Sequence, residues 1–175
     1  MHKSMRLLVV SDIHGRFERL ARVLDDHKNI DALIFLGDGL SDLDRADAYS
    51  RGFTVFAVKG NCDGFSFMSR ARVEEEMTFS FDGYKFLIMH GHTRGVKHSL
   101  TNAIYAASER EADVLLFGHT HEPLEKYIPA DDDGAIKKPL YVFNPGSLGS
   151  SGDGWGYYGL IEIRNNGILM SHGKI

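Results

Sequence analysis

A chain of 175 residues with 43% hydrophobic and 25% charged residues has the make-up of one soluble globular domain with a single core. A net charge of −4 without a basic stripe argues against a protein that tracks nucleic-acid polymers. No apolar stretch is long enough to cross a bilayer, and one cysteine excludes an intrachain disulfide or a Cys-rich zinc site.

The start Met1-His2-Lys3-Ser4-Met5 carries no apolar signal region, which leads to the expectation of a single domain over 1–175 in a reducing cytoplasm. Met5 offers a second start, so residues 1–4 are expected to be dispensable or disordered. Residues 6–11 read as a strand and 15–27 as an amphipathic helix, with Phe17, Leu20, Ala21 and Leu24 at helical spacing. A second strand opens at Asp31 and a third lies around 53–59, a βαβ start that implies parallel neighbours with right-handed crossovers. Strands 78–81 and 84–89 flank Asp82-Gly83, the signal of a type I′ hairpin. A second helix is predicted over 99–112, capped by Ser99, with Leu100, Ala103, Ile104 and Ala107 on one face, before a strand at 113–117. Asp131-Asp132-Asp133-Gly134 reads as a solvated hairpin tip, and strands 157–163 and 168–171 meet across Asn165-Asn166-Gly167. Mixed strand directions with few helices predict an α/β fold of two packed mixed sheets flanked by helices.

Six apolar runs each stop at a polar cluster. Runs 7–10, 33–36 and 55–58 end at Ser11-Asp12-Ile13-His14, Gly37-Asp38 and Gly60-Asn61-Cys62-Asp63. Runs 86–89, 114–117 and 141–143 end at His90-Gly91-His92, Gly118-His119-Thr120-His121 and Asn144-Pro145-Gly146-Ser147. Such runs read as buried strands, and polar groups just past strand ends collect along one sheet edge, where open α/β folds keep their sites. Asp12 and His14 at i and i+2 share a strand face, yet alone they read more readily as turn or cap residues. Gly37-Asp38 alone marks a loop. Two His-x-His clusters after buried strands are harder to dismiss, because imidazole is the commonest metal ligand. His2, His27, His98 and His172 lie outside the clusters and read as surface residues.

In this order the motifs resemble the calcineurin-like metallophosphoesterase superfamily. The chain length, the Gly-Asn-Cys-Asp variant and the Asn-Pro-Gly-Ser segment resemble its small prokaryotic YfcE-type phosphodiesterase branch. The resemblance implies one divalent ion on Asp12, His14, Asp38 and His121 and a second on Asp38, Asn61, His90 and His119, bridged by Asp38. A hydroxide between the ions would attack phosphorus in line. Manganese is the first choice of metal, with iron, zinc, nickel and cobalt also compatible with the donor set. A small phosphodiester is the implied substrate, and a homo-oligomer stays open. Other readings of the same site are a phosphomonoesterase or a dinucleoside polyphosphate hydrolase. A reading of another class is a non-catalytic metal-binding scaffold like the retromer subunit of this fold.

Cys62 departs from larger members of the superfamily, which carry His there. A thiol among cations makes a poor proton donor, so protonation of the leaving group falls to His92, to solvent or to no group at all, and esters with good leaving groups are preferred. His92 reads otherwise as a residue that orients a ligand. Cys62 and Arg94 are the candidate substrate contacts, with Lys97 and His98 beside Arg94 in a basic loop. The 144–147 segment reads as a wall of the site through its backbone amides or as a Pro-Gly turn without such a role. Trp155, Tyr157 and Tyr158 read as an aromatic shelf or as the start of a hairpin.

Overall fold

In the computed structural model the apolar runs become strands whose two faces are both covered, which is why they are continuous rather than alternating. The structure describes residues 4–64, 73–131, 134–164 and 167–175. One mixed sheet has the order β10-β9-β1-β2-β3 and the other β4-β5-β6-β8-β7. The first contains β1 (Met5–Val10), β2 (Ala32–Phe35), β3 (Thr54–Ala57), β9 (Tyr157–Arg164) and β10 (Gly167–Lys174). The second contains β4 (Glu76–Phe81), β5 (Tyr84–Met89), β6 (Val114–Phe117), β7 (Pro123–Ile128) and β8 (Leu140–Pro145). Strands β1, β2 and β3 run parallel, as do β5, β6 and β8, so their carboxyl ends share one edge in each sheet.

Successive residues of β1 face different layers. Leu7 and Val9 pack between the sheets with Ile34, Ile88, Leu116 and Phe143, while Leu8 and Val10 pack under Leu20, Val23 and Leu24 of α1 (Phe17–Asp26). On the far face, Leu87, Leu115 and Val142 meet Ala103, Ala106 and Ala107 of α3 (Thr101–Glu109). The result is the expected arrangement of two mixed sheets, face to face, with helices outside.

The hairpin turn has Asp82 at φ 46 and Gly83 at φ 84, both in the left-handed region a type I′ turn requires. One α-helix and one strand among the described residues were not anticipated. Helix α2 (Leu40–Arg45) is short and starts at Gly39 without a capping side chain, and β7 pairs antiparallel with β8 at the sheet edge. Helix α3 starts two residues later than expected, although the Ser99 hydroxyl still accepts a hydrogen bond from the Thr101 amide at 3.2 Å. His27 and His172 are not surface residues of the ordinary kind. His27 meets the Tyr158 hydroxyl at 3.1 Å, and His172 stacks on the Phe143 ring while its Nε2 donates to the Asn144 carbonyl at 2.8 Å. Met1–Lys3, Asp132-Asp133 and Asn165-Asn166, on which expectations for the start and two turns fall, lie outside the described residues. None of the helices among the described residues is long and apolar enough to cross a membrane.

Candidate metal centre

The parallel strands deliver their polar ends to one place. From the first sheet come Asp12 and His14 after β1, Asp38 after β2 and Asn61 after β3; from the second come His90 after β5 and His119 and His121 after β6. Asp12 Oδ1 lies 3.1 Å from His121 Nε2 and 3.6 Å from His14 Nε2, and the two imidazole nitrogens are 3.3 Å apart. His90 Nε2 lies 3.4 Å from Asp38 Oδ2, 3.1 Å from Asn61 Oδ1 and 3.1 Å from His119 Nδ1. His14 Nε2 is 3.9 Å from Asp38 Oδ2, which leaves that carboxylate between the two groups.

These contacts cannot all be hydrogen bonds. His90 Nδ1 donates to the Leu36 carbonyl at 2.7 Å, so in the neutral ring Nε2 carries only a lone pair, and it faces the carbonyl oxygen of Asn61. Asp12 Oδ2 accepts from Ser11 Oγ at 2.6 Å and the His119 amide at 2.9 Å, whereas Oδ1 is buried without a hydrogen-bond donor in good geometry. Lone pairs turned on one another in a buried place require a cation or a proton between them. The oxygen and imidazole donors fit divalent ions of the first transition row.

The electrostatics respond to the same crowding. Burial opposes the charge on Asp12, but the imidazoles of His121 and His14 outweigh it and hold the carboxyl well below the usual range. Asp38 is brought down to about 2, against its own burial, by His90 and the backbone N–H of Cys62. Burial works against a charged His90, yet Asp38 and Asp12 raise its pKa, while Asp12 raises that of His14. Burial and the neighbouring His90 push His119 down to about 4.

Backbone conformation aims the side chains. Asp12, His14, Asp38, His119 and His121 all have φ between 48 and 68, a left-handed conformation that side chains rarely adopt and that costs about 1–3 kcal/mol per residue. Surrounding bonds impose it. The Asp63 carboxylate, whose role the sequence did not disclose, accepts from the amides of Asp38, Gly39, Leu40 and Gly60 at 2.7–2.9 Å. Asn144 Nδ2 donates to the Gly118 carbonyl and to Thr120 Oγ1 at 3.0 Å each, which braces the loop carrying His119 and His121. Ser147 Oγ donates to the Asp12 carbonyl at 2.9 Å. The 144–147 segment therefore supports the site through its side chains. A Cβ on Gly60 would strike the Asp38 carboxylate, and one on Gly118 the Ser11 hydroxyl, so both positions need glycine for close approach.

The remaining candidates take distinct places. Cys62 is exposed; its amide donates to Asp38 Oδ1 at 2.7 Å, and its thiol, beside that carboxylate, is pushed up in pKa. His92 stands 5.4 Å from His90 and 6.1 Å from His119 between ring centroids, with its Nδ1 buried and unpartnered, and burial lowers its pKa. Arg94 turns to Glu76, with Nη2 to Oε2 at 2.9 Å, so its guanidinium is engaged by a carboxylate rather than free for substrate. Tyr157 and Tyr158 open β9, Tyr157 donates to Asp153 and Lys174 lies over Trp155, the hairpin start of the two readings.

Residues 5–166 match the model of the calcineurin-like phosphoesterase superfamily domain. The chain belongs to that superfamily. It is 36% identical over 145 residues to a probable metallophosphoesterase, YsnB, of Bacillus subtilis strain 168, covering 82% of this chain and 75% of that one. To the phosphodiesterase YfcE of Escherichia coli K12 it is 28% identical over 180 residues, covering 90% and 88%. Among solved structures, a predicted phosphoesterase of Streptococcus pneumoniae TIGR4 superposes with a TM-score of 0.74 at 22% identity, covering 98% of this chain and 90% of the other. Vacuolar protein sorting 29 of Cryptosporidium parvum does so with a TM-score of 0.70 at 14% identity, covering 99% of each. Both likenesses show the fold. Superfamily membership carries the expectation of bound divalent metal to these donor groups.

Proposed function

We propose that the chain is a metal-dependent phosphodiesterase of small phosphodiesters with a centre for two divalent ions. The observation that carries this reading is the crowding of metal-ligand atoms on either side of Asp38: Asp12 Oδ1 beside His14 and His121, and His90 Nε2, whose lone pair faces the Asn61 carbonyl oxygen, beside His119. Asp38, almost fully buried and lying between the groups, is the residue suited to both ions. Bound divalent cations would supply an activated water and neutralise charge on the phosphoryl oxygens. Manganese is the first metal to try, with iron, zinc, nickel and cobalt as alternatives.

The chain's own residues would do the rest. Leu36 fixes the tautomer of His90, Ser11 and the His119 amide fix Asp12, and the Cys62 amide fixes Asp38, so the donors are oriented before any ligand arrives. His92 is the imidazole outside this set that stands beside it, and it is the candidate to serve the leaving oxygen. With a thiol at position 62 in place of a second imidazole, aryl diesters would be cleaved faster than alkyl diesters.

The test is hydrolysis of bis(p-nitrophenyl) phosphate beside p-nitrophenyl phosphate, by protein stripped of metal and reloaded with Mn²⁺. Turnover is expected to need metal, to favour the diester and to fall at least about a hundredfold in Asp38→Asn. A faster monoester reaction would replace the substrate class and keep the site. Tight metal binding without turnover of either ester would favour a scaffold role, which the likeness to vacuolar protein sorting 29 keeps as the second reading.

A further inference from the structure

Arg16 breaks a local rule. It occupies the N-cap of α1, where short oxygen-bearing side chains are preferred and where a cation meets the positive end of the helix dipole. Its side chain makes no capping bond. All other described arginines have a carboxylate or a carbonyl partner, whereas no hydrogen bond or ion pair involves the Arg16 guanidinium among the described residues. Residues that oppose their local setting without a structural return are candidates for a functional position.

Its surroundings say which function. Arg16 lines a cleft of about 510 Å³ together with His14, His121, Gly149, Ser150, Ser151 and Gly152. The 149–152 stretch of this lining is built of small residues, and Arg19 holds it by donating to the Gly149 carbonyl at 2.7 Å. One cleft is thus lined both by two of the proposed metal ligands and by Arg16, whose guanidinium has no partner among the described residues. A scissile phosphate would be neutralised at the metals; a guanidinium beyond them suits a further anion, since its planar donors match phosphate oxygens.

We propose that Arg16 is a substrate-binding residue that receives a second phosphate, carried by the same molecule as the scissile one. The substrate class is then a phosphodiester or phosphoanhydride bearing an additional phosphate group, as in nucleotides with more than one phosphate. The proposal rests on the phosphoesterase reading for the position of the scissile phosphate, and its test is a binding measurement that needs no turnover.

Calorimetric titration of the Mn²⁺-loaded protein with AMP, ADP and adenosine 3′,5′-bisphosphate separates a second phosphate attached directly from one across the sugar. At least one of the two-phosphate ligands should bind about tenfold more tightly than AMP, the worth of a charge-assisted contact. Arg16→Ala should abolish that advantage and change AMP affinity by less than about twofold, and Arg16→Lys should restore part of it. No advantage in the wild type, an advantage that survives in Arg16→Ala, or equal weakening of all three ligands would overturn the proposal. A retained advantage in a protein that cleaves no ester would remove the phosphodiesterase reading and leave Arg16 as a phosphate contact.

Discussion

The two halves of the candidate centre are built on opposite plans. In the half formed by Asp12, His14 and His121, every residue has a left-handed backbone, and the two imidazoles are about a third exposed, 36% and 37%. In the half formed by Asn61, His90 and His119, only His119 is left-handed, and His90 is fully buried with its ring tied to the Leu36 carbonyl. One half carries backbone strain at every residue and turns both imidazoles to the solvent; the other has one strained residue and a buried, pinned imidazole beside an exposed Asn61. Pre-oriented donors lose less freedom when a ligand arrives, so the pinned half should hold an ion more firmly and the open half should exchange it.

The largest expected effect tests that difference directly. After dialysis against a weak chelator, His14→Ala should keep one ion per chain by elemental analysis, and His90→Ala should keep none. Equal retention would erase the distinction between the halves. Next comes Asp63→Ala, which strips one acceptor from four backbone amides that fix Asp38 and Gly60. Denaturant unfolding should show a loss of about 3 kcal/mol, and metal affinity should fall about 10–100-fold. A change in stability without a change in affinity would mean that the loop is held well enough by the strands.

The smallest effect concerns the outer support of the pinned half. Arg94 closes the 3₁₀ turn His92–Arg94, just past His90, and forks onto Glu76, which Arg110 also reaches at 3.0 Å. The Arg94 guanidinium holds the Glu76 carboxyl below its ordinary value of 4.5. A carboxyl with a depressed folded pKa stabilises the protein above the unfolded value, and that contribution is lost as pH falls through the folded value. Glu76→Gln should therefore cost about 1 kcal/mol at neutral pH, with the gap to wild type closing as the pH drops below 4.5. A gap independent of pH would mean that shape rather than charge carries the contact.

The strands and their terminal clusters were legible because sandwiched strands must be apolar on both faces, and the polarity break at Ser11-Asp12 or His90-Gly91 marks where cover ends. Strand β7 escaped because it is an edge strand, starting with Pro123 and exposing Glu125 and Lys126, so it has neither an apolar run nor strict alternation. Helix α2 is too short to show a period. The candidate donor residues were named through the family resemblance that their order carries, but the left-handed turns that aim them could not be read, since Asp and His signal no such backbone. The same holds for Asp63 and Asn144, whose side chains act on backbone groups far along the chain. Arg94 and Arg16 look alike in sequence; only the presence of Glu76 beside one and an open cleft beside the other tells them apart.

Cys62 has a practical consequence. It is the chain's single cysteine, it is exposed, and its sulfur lies within 4.8 Å of donor atoms on His14 and Asp38. A thiol reagent can therefore label this protein at one place only, at the lip of the centre. Cations arriving there would alter both the ionisation and the accessibility of the sulfur. The alkylation rate of the unmodified chain becomes an occupancy gauge, readable without substrate, engineered tag or spectroscopic metal.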